Sequence, residues 1–448
     1  MRHNKEEFMR TMKRVAAVAL SVVVLMTSGV SAKAAVTDVQ PAKSSSEAVL
    51  KWAKKVGEPF DEKTYANNTV SKIKLVGNYL YVADDAKHRI MKIDKKDGTI
   101  LKEQKYCDES YIQGYVSSIG YGDNKVYVGY DNGRVQAFDE NTLESLWITD
   151  ENKNAINSDF VFTNGKLYFG TTAKTTDWYD NGAPFSYYVV TTSDDDKTKP
   201  DEEKTMKKVV ESKTGKFYLK KGVVLGKYIV ISDTAGTLTM IDTTNDKVTD
   251  TKDIGEAFSG NITYDEMTGT IYFVAGTNNL YGIKVSADGK LKDEKKVRLY
   301  ETGYSSTTPE VYNGKVYVSG SKGKAFQDKG YMAVADVSSD KYKVNYTVEL
   351  SNYSQCEPTI VKTGENSVRV YFTINDEPGG IYAIEDSKDA TSATLETVYE
   401  PTGDIKNTGC MSDVVVDEDG TIYFANDSKY IMSVGKKVED TKKPVTKT

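Results

Sequence analysis

The sequence predicts an all-β fold: an eight-bladed β-propeller of four-stranded antiparallel blades, with the last blade closed by the N-terminal strand. Three observations predict it. A turn signal followed by an apolar–Tyr–apolar core recurs from one end of the chain to the other. A second apolar strand follows each core and often ends in an acid. A spare strand near the N-terminus matches a strand missing from the last repeat.

The cores are taken in order. Gly77-Asn78 precedes Leu80-Tyr81-Val82, and Asn124 precedes Val126-Tyr127-Val128. Asn164-Gly165 precedes Leu167-Tyr168-Phe169, and Gly226 precedes Ile229-Val230-Ile231, where Val replaces Tyr. Gly269, Asn313-Gly314, Asn366 and Asp419-Gly420 precede the cores around Tyr272, Tyr317, Tyr371 and Tyr423. Val, Ile, Tyr and Phe suit a pleated surface. The runs are too short for stable helices, and Asn-Gly or Asp-Gly supplies the positive φ that tight hairpins need. The cores are apolar on both faces. Blades stacked around an axis bury both, which a sandwich does not.

The following strand runs Ile90 to Asp94, Val135 to Asp139, Leu238 to Asp242 and Ile381 to Glu385 in four of the copies. Lys284 takes the acidic place in the fifth copy, and the sixth reaches Asp336 after a longer loop. Each repeat therefore reads as strands A to D; in the second copy they fall near 115–121, 125–130, 133–139 and 143–148. The last repeat lacks strand D because the chain turns polar after Val434. The segment from Ala48 to Ala53, with Trp52, is expected to complete blade eight and remove the open edge.

The ends of the chain predict export. Arg10, Lys13 and Arg14 precede an apolar run from Val15 to Met26, and Ala32-Lys33-Ala34 offers a small-x-small cleavage site. The run is shorter than the ~20 residues that span a bilayer, so cleavage after Ala34 is expected rather than anchoring. No Cys follows it, so a lipid anchor is not expected. The reading is a signal peptide over 1–34, a linker over 35–47, the propeller over 48–435 and a polar tail over 436–448. The expected location is secreted, extracellular, with no membrane association after cleavage.

The net charge is -6; residues 1–34 hold six Lys/Arg and two Glu, so the processed chain carries about -10. The charges are interspersed, with no basic face for nucleic acid. One His, His88, remains after cleavage, and it reads as a surface residue. That count excludes His-rich metal sites. Three cysteines, Cys107, Cys356 and Cys410, cannot make a disulfide framework. Cys356 and Cys410 each precede strand A of adjacent blades, so either a disulfide or two isolated thiols fits.

In the second copy, Ala137, Asp139, Thr142 and Trp147 match the docking motif Ala-x-Asp-x-x-Thr-Gly-x-x-x-Trp, with Leu143 in place of Gly. The first copy keeps Asp94 and Gly98, with Lys102 in place of Trp. The repeat thus resembles the PQQ-like (quinoprotein-like) β-propeller family, over residues 48–435. The chain also resembles the exported propeller proteins of anaerobic Gram-positive gut bacteria. The resemblance implies a quinone beside a vicinal Cys-Cys disulfide and a Ca²⁺ held by carboxylates and amides. This chain has no adjacent cysteines, and Asp194-Asp195-Asp196 sits in a charged insert, Ser193 to Lys204, without calcium-loop spacing. No cofactor is therefore expected, neither PQQ nor calcium.

Function in a propeller sits on the loops of one face, where the D–A and B–C connections meet the channel. The B–C insert of the third repeat carries Trp178 and Tyr179, and that of the sixth carries Phe326. The D–A connections add Tyr111, Tyr115, Tyr304 and Tyr353, with Glu357. Rings with polar tips suit a site that is wet when empty. Tyr is abundant at 31 residues, so packing competes as an explanation for each one. Trp52 and Trp147 read as packing residues.

The expected function is a secreted, monomeric, non-enzymatic binding or scaffold propeller for a glycan, a peptide or another exported protein. The alternative is an extracellular enzyme, a degenerate quinoprotein oxidoreductase or a polysaccharide-cleaving propeller. Such an enzyme would use carboxylates such as Glu109, Asp159 and Glu357 converging at the channel mouth. An assembly factor like the lipid-anchored propeller of the outer-membrane barrel machinery is a third class, disfavoured by the missing lipobox.

Overall fold

The computed structural model describes residues 39–57, 71–84, 87–106, 119–174, 183–194, 203–323, 328–407 and 409–437. These residues form eight antiparallel sheets, each built in the order A-B-C-D, and together they make an eight-bladed propeller. Blade one comprises strands Lys74–Val76, Tyr79–Asp84, Arg89–Asp94 and Ile100–Lys105. Blade two comprises Gly120–Gly122, Lys125–Gly129, Val135–Asp139 and Ser145–Ile148, with 115–118 of the expected strand A outside the described residues. Blade three gains a fifth strand, Ala155–Ile156, paired to the end of its strand B.

Ring closure is as the sequence predicts. The strand Ala48–Lys55 pairs antiparallel with Tyr430–Lys436 and supplies strand D of blade eight. The seam to blade one joins an apolar core, Tyr423 and Ile431 against Leu80, Val82 and Met91, to a set of polar contacts. The Lys95 carbonyl accepts from Trp52 Nε1 and from the Tyr423 hydroxyl, both at 3.1 Å, and Lys95 Nζ lies 2.7 Å from the Asp417 carboxylate. Trp52 packs over Gly98, where a Cβ would lie 2.7 Å from the indole.

The strand-B tyrosines are buried on both faces, and several hook one blade to the next. The hydroxyl of Tyr81 donates to the Glu140 carbonyl in the C–D turn of blade two, at 2.7 Å. Tyr168 donates to Asp246 in blade four, Tyr317 to Asp386 in blade seven, and Tyr371 to the Ala42 carbonyl ahead of the closing strand. Tyr127 instead donates within its own blade, to the Gly122 carbonyl, so the anchor phenols find a partner either across the seam or at home.

The acid that ends strand C has a structural role. Asp94, Asp139, Asp242 and Asp336 each accept a backbone N–H two residues on, at 2.8–3.0 Å, which caps the C–D turn. Four residues past the first two acids the backbone turns left-handed, at Gly98 (φ +75°) and at Leu143 (φ +60°). Leu143 thus adopts the conformation of the glycine it replaces in the docking motif, and its side chain is fully buried.

Trp147 is 1% exposed, tilted against Tyr127 at a ring separation of 5.7 Å, with Lys204 Nζ over its ring. Outermost strands such as Ile100–Lys105 and Leu291–Arg298 are exposed and lysine-rich, which blunts the free edges.

Candidate functional site

Strand A of each blade lines the central channel. Its register against the strand-B anchor defines equivalent positions around the ring. Lys74, Gly120, Val161, Val223, Thr263, Glu310, Thr359 and Val415 face the eight anchors. Two residues earlier, on the same side of the strand and one tier nearer the D–A/B–C face, stand Lys72, Asp159, Lys221, Asn261, Thr308, Glu357 and Asp413. Position 118, the blade-two equivalent, lies outside the described residues. The upper tier therefore brings five charged side chains to one level of the channel, and Lys74 and Glu310 stand in the tier below.

These groups bound a cavity of about 250 Å³ on the axis, lined also by the rings of Tyr121, Phe160 and Phe162. Phe160 and Phe162 lie over Gly120 and Gly122 of blade two; a Cβ would come within 2.9 Å of the ring at Gly120 and 2.2 Å at Gly122. Two glycines in one short strand thus make room for aromatic rings beside the channel.

The charges form a connected set. Lys72 of blade one pairs with Asp413 of the neighbouring blade eight at 3.0 Å. Lys221 of blade four pairs with Glu357 of blade seven at 2.8 Å. Those blades are three positions apart in a ring of eight, so this ion pair crosses the channel. The Glu357 backbone N–H donates to Asp413, and the Lys221 N–H donates to the Asn261 side chain. Burial alone would lower both Lys72 and Lys221. Asp413, Asp159 and Glu357 together outweigh burial at Lys72, and Glu357, Glu310 and Asp159 do so at Lys221, so both ammonium groups stay charged.

The two glutamates are held apart in protonation. Burial, then the adjacent Glu357 carboxylate, pushes Glu310 well above the usual carboxyl range. Burial would raise Glu357 too, but Lys221 and Lys72 outweigh it and hold Glu357 below that range. Glu310 is 2% exposed, and its carboxyl shares a hydrogen bond with Glu357. Lys74 is exposed to the channel cavity and surrounded by the blades. Enclosure lowers its pKa, and Lys221 lowers it further.

Lys220, next to this tier, points away into the blade-four/blade-five seam. It is buried, its Nζ donates to the carbonyls of Phe258 (3.1 Å) and Gly260 (2.6 Å), and burial pushes it down to about 7. The same strand position holds Ser71, Ser158, Cys356 and Ser412 in other blades. Each of these side chains accepts an N–H from the far end of strand B, those of Ala83, Gly170, Thr373 and Ala425. Cys356 is thus a sulfur version of a recurring serine staple. Cys356 and Cys410 are both buried free thiols. With Cys107 outside the described residues, no vicinal disulfide is available to seat a quinone, and the residues present do not fit that cofactor.

Of the residues singled out from sequence, Glu357 stands in the channel and Asp159 in the same tier. Tyr353 is buried beside Asn375, whose amide donates to its hydroxyl, and Tyr304 pairs through its backbone with Ser321 on the same face. Trp178, Tyr179, Tyr111, Tyr115, Phe326 and Glu109 lie outside the described residues. His88 is half-buried, its ring 6.1 Å from that of Tyr106. Sequence reasoning missed Lys72, Lys74, Lys221, Glu310 and Asp413. The signal was present: counting nine residues back from the anchors at 81, 168 and 230 lands on Lys72, Asp159 and Lys221.

No protein-family model and no curated protein matches the chain. Solved structures match its fold. BamB from Moraxella catarrhalis is 12% identical, with 87% of this chain and 97% of that one covered, at a TM-score of 0.57. The quinohemoprotein alcohol dehydrogenase from Comamonas testosteroni is 10% identical over 87% of this chain and 76% of that one, at 0.61. A computationally designed protein, Ika8, is 10% identical over 83% and 97%, at 0.55. At these identities the likeness is one of fold: a propeller resembling those of the quinoprotein and BamB-like families.

Proposed function

We propose that this chain is an exported, non-enzymatic binding propeller whose ligand seats at the D–A/B–C end of the central channel. One observation carries the reading: six blades converge charged or aromatic side chains on a single axial cavity of about 250 Å³. That is slightly under the roughly 300–1,000 Å³ of pockets for drug-sized molecules, so it suits one sugar ring or one residue of a larger glycan, peptide or protein. The signal-like segment over 1–34 supports an extracellular setting. The charges suit recognition: lysines and carboxylates mix around the channel, and Lys72, Lys221, Glu357 and Asp413 can each exchange an internal partner for a ligand group.

The enzymatic alternative has one observation in its favour, the Glu310–Glu357 pair with its unequal proton affinities. The pair is in hydrogen-bond contact. Glycosidase carboxyls stand about 5–9.5 Å apart to admit a sugar or water between them, so this geometry does not serve that chemistry.

The test is binding of the processed protein to glycan and peptide panels, for wild type, Lys221→Met and Trp178→Ala, with products of the same panels followed by mass spectrometry. Binding lost in Lys221→Met without turnover supports the reading. Product formation that disappears in Glu310→Gln supports the enzyme instead.

A further inference from the structure

We propose that the axial cavity recognises a small carboxylate-bearing sugar, of hexuronate size, with its carboxylate held between Lys74 and Lys221. This rests on the binding reading above and names the ligand class for that site.

The argument starts from charge. The cavity is lined by three ammonium groups, Lys72, Lys74 and Lys221, and by the carboxyls of Asp159, Glu357 and Asp413. Glu310 stands beside them in the lower tier. Lys72 is matched by Asp413 and Lys221 by Glu357. Lys74 is different: it makes no ion pair among the described residues; enclosure and then the repulsion of Lys221 act against its charge, and Asp159 and Glu357 favour it only from beyond ion-pair distance. Two ammonium groups facing each other across a channel, one of them unmatched, are a seat for an anion. A ligand carboxylate there would neutralise Lys74 and share Lys221 with Glu357. Burial within the blades weakens screening by salt, so the pairing is stronger than on an open surface.

The remaining lining selects the rest of the ligand. Asp159, Glu357 and Asp413 accept hydrogen bonds, as sugar hydroxyls require. Tyr121, Phe160 and Phe162 offer ring surface to the C–H face of a pyranose. A simple organic acid would use the lysines and leave the carboxylates and rings idle. A neutral sugar would leave Lys74 unmatched. A hexuronate uses all three sets.

The experiment is isothermal titration of the processed protein with glucuronate and galacturonate, against glucose, galactose and acetate, for wild type, Lys74→Met and Lys74→Arg. Thermal melts confirm that each variant folds. The expected result is uronate binding at least tenfold tighter than the matching neutral sugar or acetate, lost at least tenfold in Lys74→Met and largely kept in Lys74→Arg. Neutral sugars binding as tightly as uronates, acetate competing equally, or Lys74→Met binding like wild type would overturn the inference while leaving a binding propeller in place. If no uronate binds, the inference also fails, and the glycan and peptide panels then decide the broader reading separately.

Discussion

Removing the Asp386 carboxylate tests whether the inter-blade hooks, rather than the channel charges, hold the ring together. Asp386 ends strand C of blade seven and is 2% exposed. It accepts from the Tyr317 hydroxyl at 2.7 Å, the Tyr346 hydroxyl at 2.5 Å and Lys315 Nζ at 3.0 Å, all from blade six. Asp386→Ala leaves a buried ammonium and two buried phenols without their acceptor. Breaking one side of a buried pair costs about 3–5 kcal/mol, and each stranded hydroxyl adds roughly 1 kcal/mol. The expected loss is therefore about 5–7 kcal/mol in urea denaturation followed by tyrosine fluorescence and circular dichroism. The paired variant Lys315→Met/Asp386→Leu removes the charge from both sides and should recover most of that loss, because apolar replacements of a buried pair are often neutral. A loss under about 1 kcal/mol in Asp386→Ala, or no recovery in the paired variant, would refute the hook argument.

Other outcomes follow from the same geometry. Lys220 is held at about 7 in the fold against an ordinary lysine value when unfolded. Between those values the unfolded chain binds the extra proton, so stability rises with pH from about 7 upward; Lys220→Met should remove that rise in melts taken between pH 7 and 10. Cys356→Ser should change stability by less than about 1 kcal/mol, since Ser holds this place in three other blades, whereas Cys356→Val strands the Thr373 N–H and should cost about 1–3 kcal/mol. Trp52→Ala removes the closing contact on Lys95 and should cost about 3–5 kcal/mol, with hydrogen exchange rising first in blades eight and one.

Fold and site were legible in the sequence to different depths, for a physical reason. The strand-B anchors are buried on both faces between neighbouring blades, so every copy shows the same apolar core, with Tyr at its centre in all but the fourth. The strand-C acid repeats because one turn geometry repeats; even Leu143, which departs from the motif, bends as its glycine would. The channel residues repeat only in position. They line the channel and pair with one another in no repeating pattern, so nothing forces Lys72, Asp159, Lys221, Glu357 and Asp413 to resemble one another. Their spacing from the anchor also drifts, because the A–B hairpin lengthens before Tyr272 and Tyr371. Glu357 could be picked out as a carboxylate on the right face; that it meets Lys221 from three blades away follows only once the ring is closed.

The channel charges are also poorly explained as stabilisers. The hooks and the sheet pairing already pin the blades, and partly buried ion pairs return little net stability once desolvation is counted. The Lys221–Glu357 bridge reaches across open space and ties no adjacent blades. Lys221→Met/Glu357→Leu should therefore unfold within about 1 kcal/mol of wild type, or later, because both charges leave together. Glu357→Leu alone strands Lys221 and exposes Glu310 to a changed neighbour, so it should be the less stable of the two by about 1–3 kcal/mol. A paired variant as stable as wild type that has lost its ligand would show that these charges are kept for recognition at no benefit to the fold. A paired variant that collapses by 3 kcal/mol or more would make the bridge a structural strut, and the case for a ligand site on the axis would lose its main support.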